Sequence, residues 1–269
     1  MTRPIVLLQS EGDLVNIEGN AAVVVGGASG MARATAQAIV DRGGRVAILD
    51  LPSSAGAAVA EELGKGSTFH PCDITDYAGT EAALADAARQ HDGLHIAVNT
   101  AGGGVAERTV NRGGPHSLES FQWVVNLNLV GTFNLNRLQA WHMSSNRPNA
   151  DGERGVIVNT SSIAAFEGQI GQVAYSAAKA GIAGMMLTMA RDLGSLGIRA
   201  TAIAPSLFAT GTTAAISHEL KVSMTAGAAF PQRMGRPEEY ARLAVTIIEN
   251  PMLNGGTIRL DAGQRFAAR

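Results

Sequence analysis

The fold of this chain is decided by the segment Ala21-Ala22-Val23-Val24-Val25-Gly26-Gly27-Ala28-Ser29-Gly30-Met31-Ala32-Arg33-Ala34. An uninterrupted apolar run is typical of a strand buried on both faces of a parallel sheet. The Gly-rich turn and the Ala-rich helical pattern that follow predict a strand–turn–helix unit. Such a turn lets the backbone approach a pyrophosphate, with the positive end of the helix facing it. Close packing of helix on strand explains the same glycines without a ligand.

The same alternation of Val- and Ile-rich runs with Ala-rich amphipathic stretches continues along the chain. It predicts a doubly wound, Rossmann-type α/β fold with a seven-stranded parallel sheet and helices on both faces. The predicted strands are Ala21–Val25, Arg45–Leu49, Ser67–His70, His95–Val98, Val156–Asn159, Arg199–Ile203 and Thr257–Leu260. The predicted helices cover residues 30–42, 54–63, 77–91, 118–143, 174–195 and 237–249.

Length and composition limit the architecture and the partners. The chain has 269 residues, of which 46% are apolar and 16% charged, and this suffices for one large core. Since no linker or repeat marks a boundary, we expect a single dinucleotide-binding domain over residues 1–269, with residues 1–19 as an N-terminal extension. A net charge of −2 and scattered arginines predict no binding of nucleic acid.

Membrane, secretory and metal-binding segments are not expected. The apolar stretch from Ala180 to Ala190 is shorter than the roughly 20 residues of a membrane-spanning helix. Ile5–Leu8 is too short for the apolar core of a signal peptide. The single cysteine, Cys72, cannot form an internal disulfide, so a reducing, cytoplasmic setting is expected. The six histidines show no metal-ligand spacing.

Two segments interrupt the alternation of strands and helices. Gly102–Ser117 is a polar, Gly-rich insertion before a long helix, and Pro205–Pro237 is a long connection with weak periodicity. Connections longer than about 15 residues usually act as lids or binding loops. We therefore expect both segments to contact substrate, with the second as the main substrate-binding loop.

Polar and small residues recur where the predicted strands end, at the edge where open α/β sheets bind ligands. Asp50 follows the second strand, where a carboxylate can accept hydrogen bonds from an adenosine ribose and repel a 2′-phosphate. This position favours NAD over NADP, although a turn role before Leu51-Pro52 explains the same aspartate. Asp73-Ile74 follows the third strand, and Asn99-Thr100-Ala101-Gly102 follows the fourth.

Tyr175 and Lys179 are four residues apart in a predicted helix and share one of its faces. A phenol has an unperturbed pKa of about 10, and an adjacent ammonium lowers that pKa by favouring the phenolate. Such a pair can exchange a proton with an alcohol or a carbonyl. A solvated pair on the helix surface is the alternative.

Together these motifs closely resemble the short-chain dehydrogenase/reductase family. The match runs in the family's order over about residues 20–261 and comprises Gly26-x-x-x-Gly30, Asp73, Asn99-Thr100-Ala101-Gly102, Asn128, Ser162, Tyr175-x-x-x-Lys179 and Pro205. Other segments resemble the type II 3-hydroxyacyl-CoA dehydrogenases, which also act on hydroxysteroids and small alcohols. These segments are Leu49-Asp50-Leu51-Pro52, Ala164–Gln169 and Asn254-Gly255.

The resemblance implies a role for each matched residue. Tyr175 would be the general acid/base, Lys179 would hold the nicotinamide ribose and lower the pKa of Tyr175, and Ser162 would orient the substrate oxygen. Asn128 would hold a proton-relaying water, and Gln172 would contact substrate. NAD would be bound by Gly26, Ser29, Gly30, Met31, Asp50, Asp73, Ile74, Asn99, Thr100, Ala101, Gly102, Tyr175, Lys179, Pro205, Phe208 and Thr210. The family also implies a homotetramer.

Four positions depart from the family pattern. Val25 stands where Thr is usual, which removes a hydroxyl that ties the Gly-rich turn to a neighbouring strand. Ala32 replaces the third Gly of the turn, Thr100 replaces Asn or Cys, and Ser206 follows Pro205 where Gly is typical. These changes bear on cofactor affinity more than on chemistry, because the four catalytic positions are retained.

The expected function is an NAD-dependent interconversion of a secondary alcohol and a ketone, and the resemblance favours (S)-3-hydroxyacyl-CoA as the substrate. A hydroxysteroid or a short-chain alcohol is the alternative, since the two interrupting segments encode no pocket shape. Arg108 and Arg112 could meet coenzyme A phosphates or be ordinary exposed loop arginines. A non-catalytic NAD-binding or scaffolding subunit on the same fold is a hypothesis of another class.

Overall fold

The strands form one large sheet and one small hairpin in the computed structural model, which describes residues 17–64, 66–211 and 217–268. In chain order they are β1 (Ala21–Val25), β2 (Arg45–Asp50), β3 (Thr68–Pro71), β4 (Ile96–Asn99), β5 (Val110–Asn111), β6 (Gly114–Pro115), β7 (Gly155–Thr160), β8 (Ile198–Pro205) and β9 (Thr257–Leu260). Seven of them pair in parallel in the order β3-β2-β1-β4-β7-β8-β9. The chain reverses its direction across the sheet between β1 and β4, which opens a crevice at the carboxyl edge.

Helices cover both faces of this sheet. They are α1 (Gly30–Asp41), α2 (Gly56–Leu63), α3 (Tyr77–Gln90), α4 (Leu118–Val125), α5 (Gly131–Ser144), α6 (Val173–Gly194), α7 (His218–Thr225) and α8 (Pro237–Glu249). Because side chains alternate along a strand, Ala22 and Val24 pack with α1, α2 and α8, and Val23 and Val25 pack with α3, α5 and α6. The predicted doubly wound α/β fold with a seven-stranded parallel sheet is confirmed.

Small residues allow the first helix to lie close to the sheet. A Cβ on Gly27 would come within 2.8 Å of the Val24 carbonyl and 2.9 Å of the Ile48 side chain, so the turn into α1 has no room for one. The methyl group of Ala32, where the family has Gly, is buried in the core on this face of the sheet. The departure at position 32 is therefore accommodated by the packing.

The helices differ from the sequence prediction in two segments. The helix predicted over 118–143 is interrupted by a π-helical turn at Asn126–Val130, a feature that is frequent at functional sites. The Pro205–Pro237 connection contains helix α7, which is mostly exposed and begins at the N-cap Ser217. Apolar periodicity could not reveal a helix that buries so little. Residues 212–216 of this connection and residues 1–16 of the extension lie outside the described residues.

The helices within the described ranges are too short or too polar to cross a membrane.

A buried ion pair lies at the opposite, amino-terminal edge of the sheet. Arg199 in β8 donates to Glu153 Oε1 at 2.6 Å, and both side chains are 7% exposed. Burial raises the pKa of the Glu153 carboxyl, and the Arg199 charge opposes that increase. The guanidinium also donates to carbonyl groups at and after the end of α8, those of Ile247, Ile248, Asn250 and Leu253.

We expect Arg199→Ala to lower the free energy of unfolding by about 3–5 kcal/mol, because Glu153 would stay buried without its cation. Urea denaturation measures this change. The exposed Arg191 offers a matched control, and Arg191→Ala is expected to change the value by less than about 0.5 kcal/mol. Equal losses in the two variants would contradict a specific role for the buried pair.

Candidate active site

A cavity of about 530 Å³ lies at the carboxyl edge of the sheet, where the strand order reverses. The Gly-rich turn after β1, the ends of β2 and β3, and the segments after β4, β7 and β8 enclose it, and α6 borders it. The predicted site residues that line this cavity are Gly26, Ser29, Gly30, Met31, Asp50, Asp73, Ile74, Thr100, Ala101, Gly102, Ser162, Tyr175, Lys179, Pro205, Phe208 and Thr210.

Glycines let the backbone of the turn between β1 and α1 border the cavity directly. Gly26 and Gly30 have φ angles of +80° and +54°, which side-chain-bearing residues rarely adopt. A Cβ on Gly26 would lie 2.9 Å from Thr100 Oγ1 and 3.1 Å from the Ala101 nitrogen. Ser29 makes no side-chain capping hydrogen bond, and the first turn of α1 carries no acidic residue. This helix start therefore suits a pyrophosphate.

Asp50 is held against the Gly-rich turn by two backbone amides. Its Oδ2 accepts from the Ala28 amide at 2.9 Å, and its Oδ1 accepts from the Leu51 amide at 2.7 Å. The carboxylate has the turn role considered for it and also lines the cavity. Asp73, at the end of β3, accepts from the amide and hydroxyl of Thr75. Two carboxylates thus flank the part of the cavity beside the turn.

Val25 lacks the threonine hydroxyl that is usual at this position, and Thr100, after the neighbouring strand β4, provides a hydroxyl in its place. Thr100 Oγ1 donates to the Val25 carbonyl at 2.9 Å, and the Thr100 amide donates to the same oxygen at 3.0 Å. Thr100, itself a departure from the family pattern, therefore compensates for the departure at Val25. The Gly-rich turn stays tied to the segment after β4.

Three consecutive residues at the end of β7 hold the helix that carries Tyr175 and Lys179. Lys179 Nζ donates to the Thr160 carbonyl at 2.9 Å, and Ser161 Oγ donates to the Lys179 carbonyl at 2.8 Å. Ser162 Oγ accepts from the Ala164 amide at 3.1 Å, and the Ser162 and Tyr175 side chains line the same cavity. The ammonium lies 5.5 Å from the centre of the Tyr175 ring. Because Lys179 is only 3% exposed, the alternative of a solvated surface pair is wrong.

Burial dominates the electrostatics of this pair. It lowers the pKa of Lys179 to about 8, so the side chain is mainly cationic at neutral pH. It also raises the pKa of Tyr175, and the nearby Ser162 hydroxyl offsets part of this increase. The sequence predicts that the adjacent ammonium lowers the pKa of Tyr175. In this structure burial raises that pKa.

Asn128 lies in the π-helical turn and is fully buried. Its Nδ2 donates to the carbonyls of Gly103 and Val124, and its Oδ1 accepts from the Gly103 amide. A Cβ on Gly102 would lie 2.6 Å from Asn128 Oδ1 and 3.4 Å from Lys179 Nζ. Asn128 therefore positions the start of the insertion, and its role in a water relay stays a prediction.

Two further predicted site residues lie beside the cavity. Asn99 Nδ2 lies 2.9–3.0 Å from side-chain oxygens of Asn136, Gln139 and Asn159, so its side chain joins a buried amide cluster between β4, β7 and α5. Gln172 lines a neighbouring cleft, where its Oε1 accepts from the Gln169 amide at 3.4 Å.

Several cavity-lining residues were not predicted as site residues. Their common signal is that each lies next to a predicted site residue or within two positions of one, as Thr160 and Ser161 do for Ser162. They are Val25, Leu49, Leu51, Cys72, Gly103, Leu127, Thr160, Ser161, Ser206, Leu207 and Gly211. In the part of the chain that the structure describes, His, Cys, Asp and Glu side chains form no group of three or more that could hold a metal ion.

The Gly102–Ser117 insertion packs beside the cavity against the loop before α6. The Glu107 amide donates to the Gly171 carbonyl at 2.8 Å. Two clefts of about 470 and 430 Å³ lie along this contact, and Arg108 lines both. Arg112 sits in the turn between β5 and β6 and is exposed. The two arginines of the insertion therefore differ in their relation to the site.

Known proteins resemble the chain over nearly its whole length. A family model described as short chain dehydrogenase matches residues 20–221. A 3-hydroxyacyl-CoA dehydrogenase type-2 of Drosophila melanogaster is 49% identical over 252 residues, covering 93% of this chain and 99% of that protein. The Homo sapiens protein of that name is 48% identical over 253 residues, 93% of this chain and 97% of its own. A crystal structure of a 3-hydroxyacyl-CoA dehydrogenase type-2 from Mycobacterium avium is 41% identical with a TM-score of 0.90, covering 93% and 98%.

We expect Gly102→Ala to lower the free energy of unfolding by about 1–3 kcal/mol and to weaken binding of a nicotinamide dinucleotide, because the new methyl group would lie 2.6 Å from Asn128 Oδ1 and displace that side chain beside the cavity. Urea denaturation and NADH fluorescence measure the two effects. Gly194→Ala is the matched control, since a Cβ at Gly194 meets nothing within 4 Å. A Gly102→Ala variant as stable and as tight-binding as Gly194→Ala would show that the contact is tolerated.

Proposed function

Because the chain belongs to the short-chain dehydrogenase family of oxidoreductases, we propose that it interconverts an (S)-3-hydroxyacyl-CoA and the 3-oxoacyl-CoA with NAD. The observation that carries the chemistry is that Ser162, Tyr175 and Lys179 line one cavity, with the buried Lys179 ammonium 5.5 Å from the centre of the Tyr175 ring. The choice of substrate is supported by relatives of nearly half-identical sequence that are named for this activity.

Each residue of the proposed catalytic set has a separate task. A bound nicotinamide supplies the hydride acceptor for alcohol oxidation or the hydride donor for ketone reduction. Tyr175 takes the proton of the substrate hydroxyl as a phenolate, or donates its own proton to the substrate carbonyl in the reverse direction. Ser162 hydrogen-bonds the same substrate oxygen and stabilises the charge that develops on it. Lys179 favours the phenolate through its charge.

The residues around the cavity fit an extended dinucleotide. The start of α1 would bind the pyrophosphate, and Lys179 would bind the nicotinamide ribose. Asp50 would accept hydrogen bonds from the adenosine ribose. Its carboxylate, fixed by the amides of Ala28 and Leu51, would repel a 2′-phosphate, which supports NAD in preference to NADP.

The acyl-CoA proposal assigns the clefts beside the insertion to the coenzyme A part of the substrate. Arg108 lines both clefts, and a guanidinium suits phosphate groups. The hydroxysteroid and short-chain alcohol alternatives need no such cation. Arg108 therefore provides a way to separate the substrate classes.

Three expectations concern the activity, the assembly and the cellular setting of the protein. Val25 and Ala32 depart from the family pattern, but both are accommodated, the first by Thr100 and the second by the core, so they give no support to the non-catalytic alternative. The homotetramer stays a proposal. Exposed apolar side chains on α4 and α5, among them Trp123 and Trp141, supply a surface that suits subunit contacts. A cytoplasmic setting also stays a proposal.

We expect the protein to oxidise NADH in the presence of acetoacetyl-CoA, with much lower activity with NADPH, measured as loss of absorbance at about 340 nm. Arg108→Ala should raise the KM for acetoacetyl-CoA about tenfold, by loss of a charge-assisted phosphate contact. Arg112→Ala, in the exposed turn, is the control and should leave KM unchanged. Turnover of a steroid or simple ketone without turnover of acetoacetyl-CoA would overturn the substrate proposal.

Tyr175→Phe should lower kcat by about 10²–10⁴-fold, because it removes the proton-transferring hydroxyl and keeps the ring. Tyr77→Phe makes the same change at an exposed tyrosine and should have no effect on kcat. Steady-state kinetics at saturating NADH and acetoacetyl-CoA measure both. Full activity in the Tyr175→Phe variant would overturn the assigned mechanism.

A further inference from the structure

A buried tyrosine on α8 lies next to residues that border the cavity. Tyr240 on α8 is 0% exposed, and its hydroxyl is 2.7 Å from Thr160 Oγ1. Its ring meets that of Phe208 edge to face, with centroids 6.4 Å apart, and Phe208 lines the cavity. A phenylalanine would fill the same space without a hydroxyl that needs a partner. Packing alone therefore does not account for a hydroxyl at this position.

The direction of the hydrogen bonds follows from the number of protons. Thr160 has one hydroxyl proton, which it donates to the Asn99 carbonyl at 2.7 Å. Tyr240 must therefore be the donor in the bond to Thr160. Burial raises the pKa of Tyr240, so this donor keeps its proton at neutral pH. The result is a directed chain from α8 through the end of β7 to the end of β4.

Thr160 connects this chain to the catalytic pair. The residue whose hydroxyl accepts from Tyr240 is also the residue whose backbone carbonyl holds Lys179 Nζ at 2.9 Å. Tyr175, on the same helix as Lys179, is the titratable side chain whose ring the ammonium faces at 5.5 Å. Asp50 and Asp73 lie at other strand ends of the cavity. The position of the Thr160 backbone therefore controls the position of the ammonium.

We propose that Tyr240 is a positioning residue of the active site, which acts through Thr160 on the Lys179 ammonium. The proposal deepens the proposed function and rests on it for the role of Lys179 in the reaction. Tyr240 touches neither of the proposed reactants. Its hydroxyl keeps the end of β7 in the orientation that lets the Thr160 carbonyl accept from Lys179. Loss of that acceptor weakens the hydrogen bond to the charged form of Lys179, which lowers the pKa of Lys179.

The first test measures the titration of Lys179 in the protein without cofactor. The chain has three lysines, Lys65, Lys179 and Lys221, so the NMR signals of isotope-labelled lysine side chains can be assigned with Lys65→Arg and Lys221→Arg. The wild-type Lys179 is expected to titrate at about pH 8. In Tyr240→Phe the midpoint should fall by about half a pH unit or more, because the ammonium loses part of its acceptor.

The second test measures turnover with acetoacetyl-CoA and NADH. Tyr240→Phe is expected to lower kcat about tenfold and to change KM less than about twofold, since it misplaces a catalytic group and leaves the substrate clefts intact. Thr160→Val, which removes the accepting hydroxyl, should act in the same way. The double variant should be no slower than Thr160→Val alone, because both changes break one chain. Thr160→Ser retains the hydroxyl and should restore kcat and the Lys179 midpoint relative to Thr160→Val.

The outcomes separate this proposal from its alternatives. Tyr77→Phe, at an exposed tyrosine, is the matched control and should match the wild type in both tests. A Tyr240→Phe variant with a lower melting temperature but an unchanged Lys179 midpoint and kcat would show a purely structural role and overturn the proposal. If the wild type does not turn over acetoacetyl-CoA, the proposed function fails, and the Lys179 titration still decides whether Tyr240 and Lys179 are coupled.

Discussion

The buried ammonium of Lys179 is the constraint on which the arrangement of the site depends. A charge out of contact with water is unfavourable unless it is hydrogen-bonded, and here the acceptor is a backbone carbonyl at the end of a strand. Thr160 pairs with Ile203 of the neighbouring strand, so the acceptor belongs to the sheet and not to a loop. The ammonium, its helix and the phenol of Tyr175 are thereby placed by the register of β7 and β8.

The carboxyl edge of the sheet is held together by hydroxyl groups as well as by the backbone ladder. Thr160 joins the end of β7 to the end of β4, and Thr100 joins the segment after β4 to the end of β1. The Asn99 side chain links the same edge to α5 and β7 through hydrogen bonds with amide side chains of both elements. Such ties keep the polar groups of the site in fixed positions before any ligand arrives, which is how preorganised sites stabilise developing charge.

The strands predicted from sequence end within two residues of the observed ones, because apolar runs between turn residues are a strong local signal. The errors occur where tertiary contacts override local pattern. Asn126–Val130 forms a π-helical turn around Asn128, whose side chain bonds to Gly103. The side chain of Asn99 lies in the amide cluster and not at the cavity. These outcomes depend on partners more than 20 residues away in the chain, which no local window contains.

The sequence alone predicted the fold class, the Gly-rich turn, Asp50 at a strand end and the Tyr175–Lys179 pair, because each depends on residue type and short spacing, and the family resemblance added Ser162 to the candidate catalytic set. The tertiary structure was needed to show that Lys179 is buried, that burial raises the pKa of Tyr175, and that Thr160 links Lys179 to Tyr240. Burial and hydrogen-bond partners are properties of the packed chain. Tyr240 lies 80 residues from Thr160 in sequence, and the packing of α8 against the sheet brings them together.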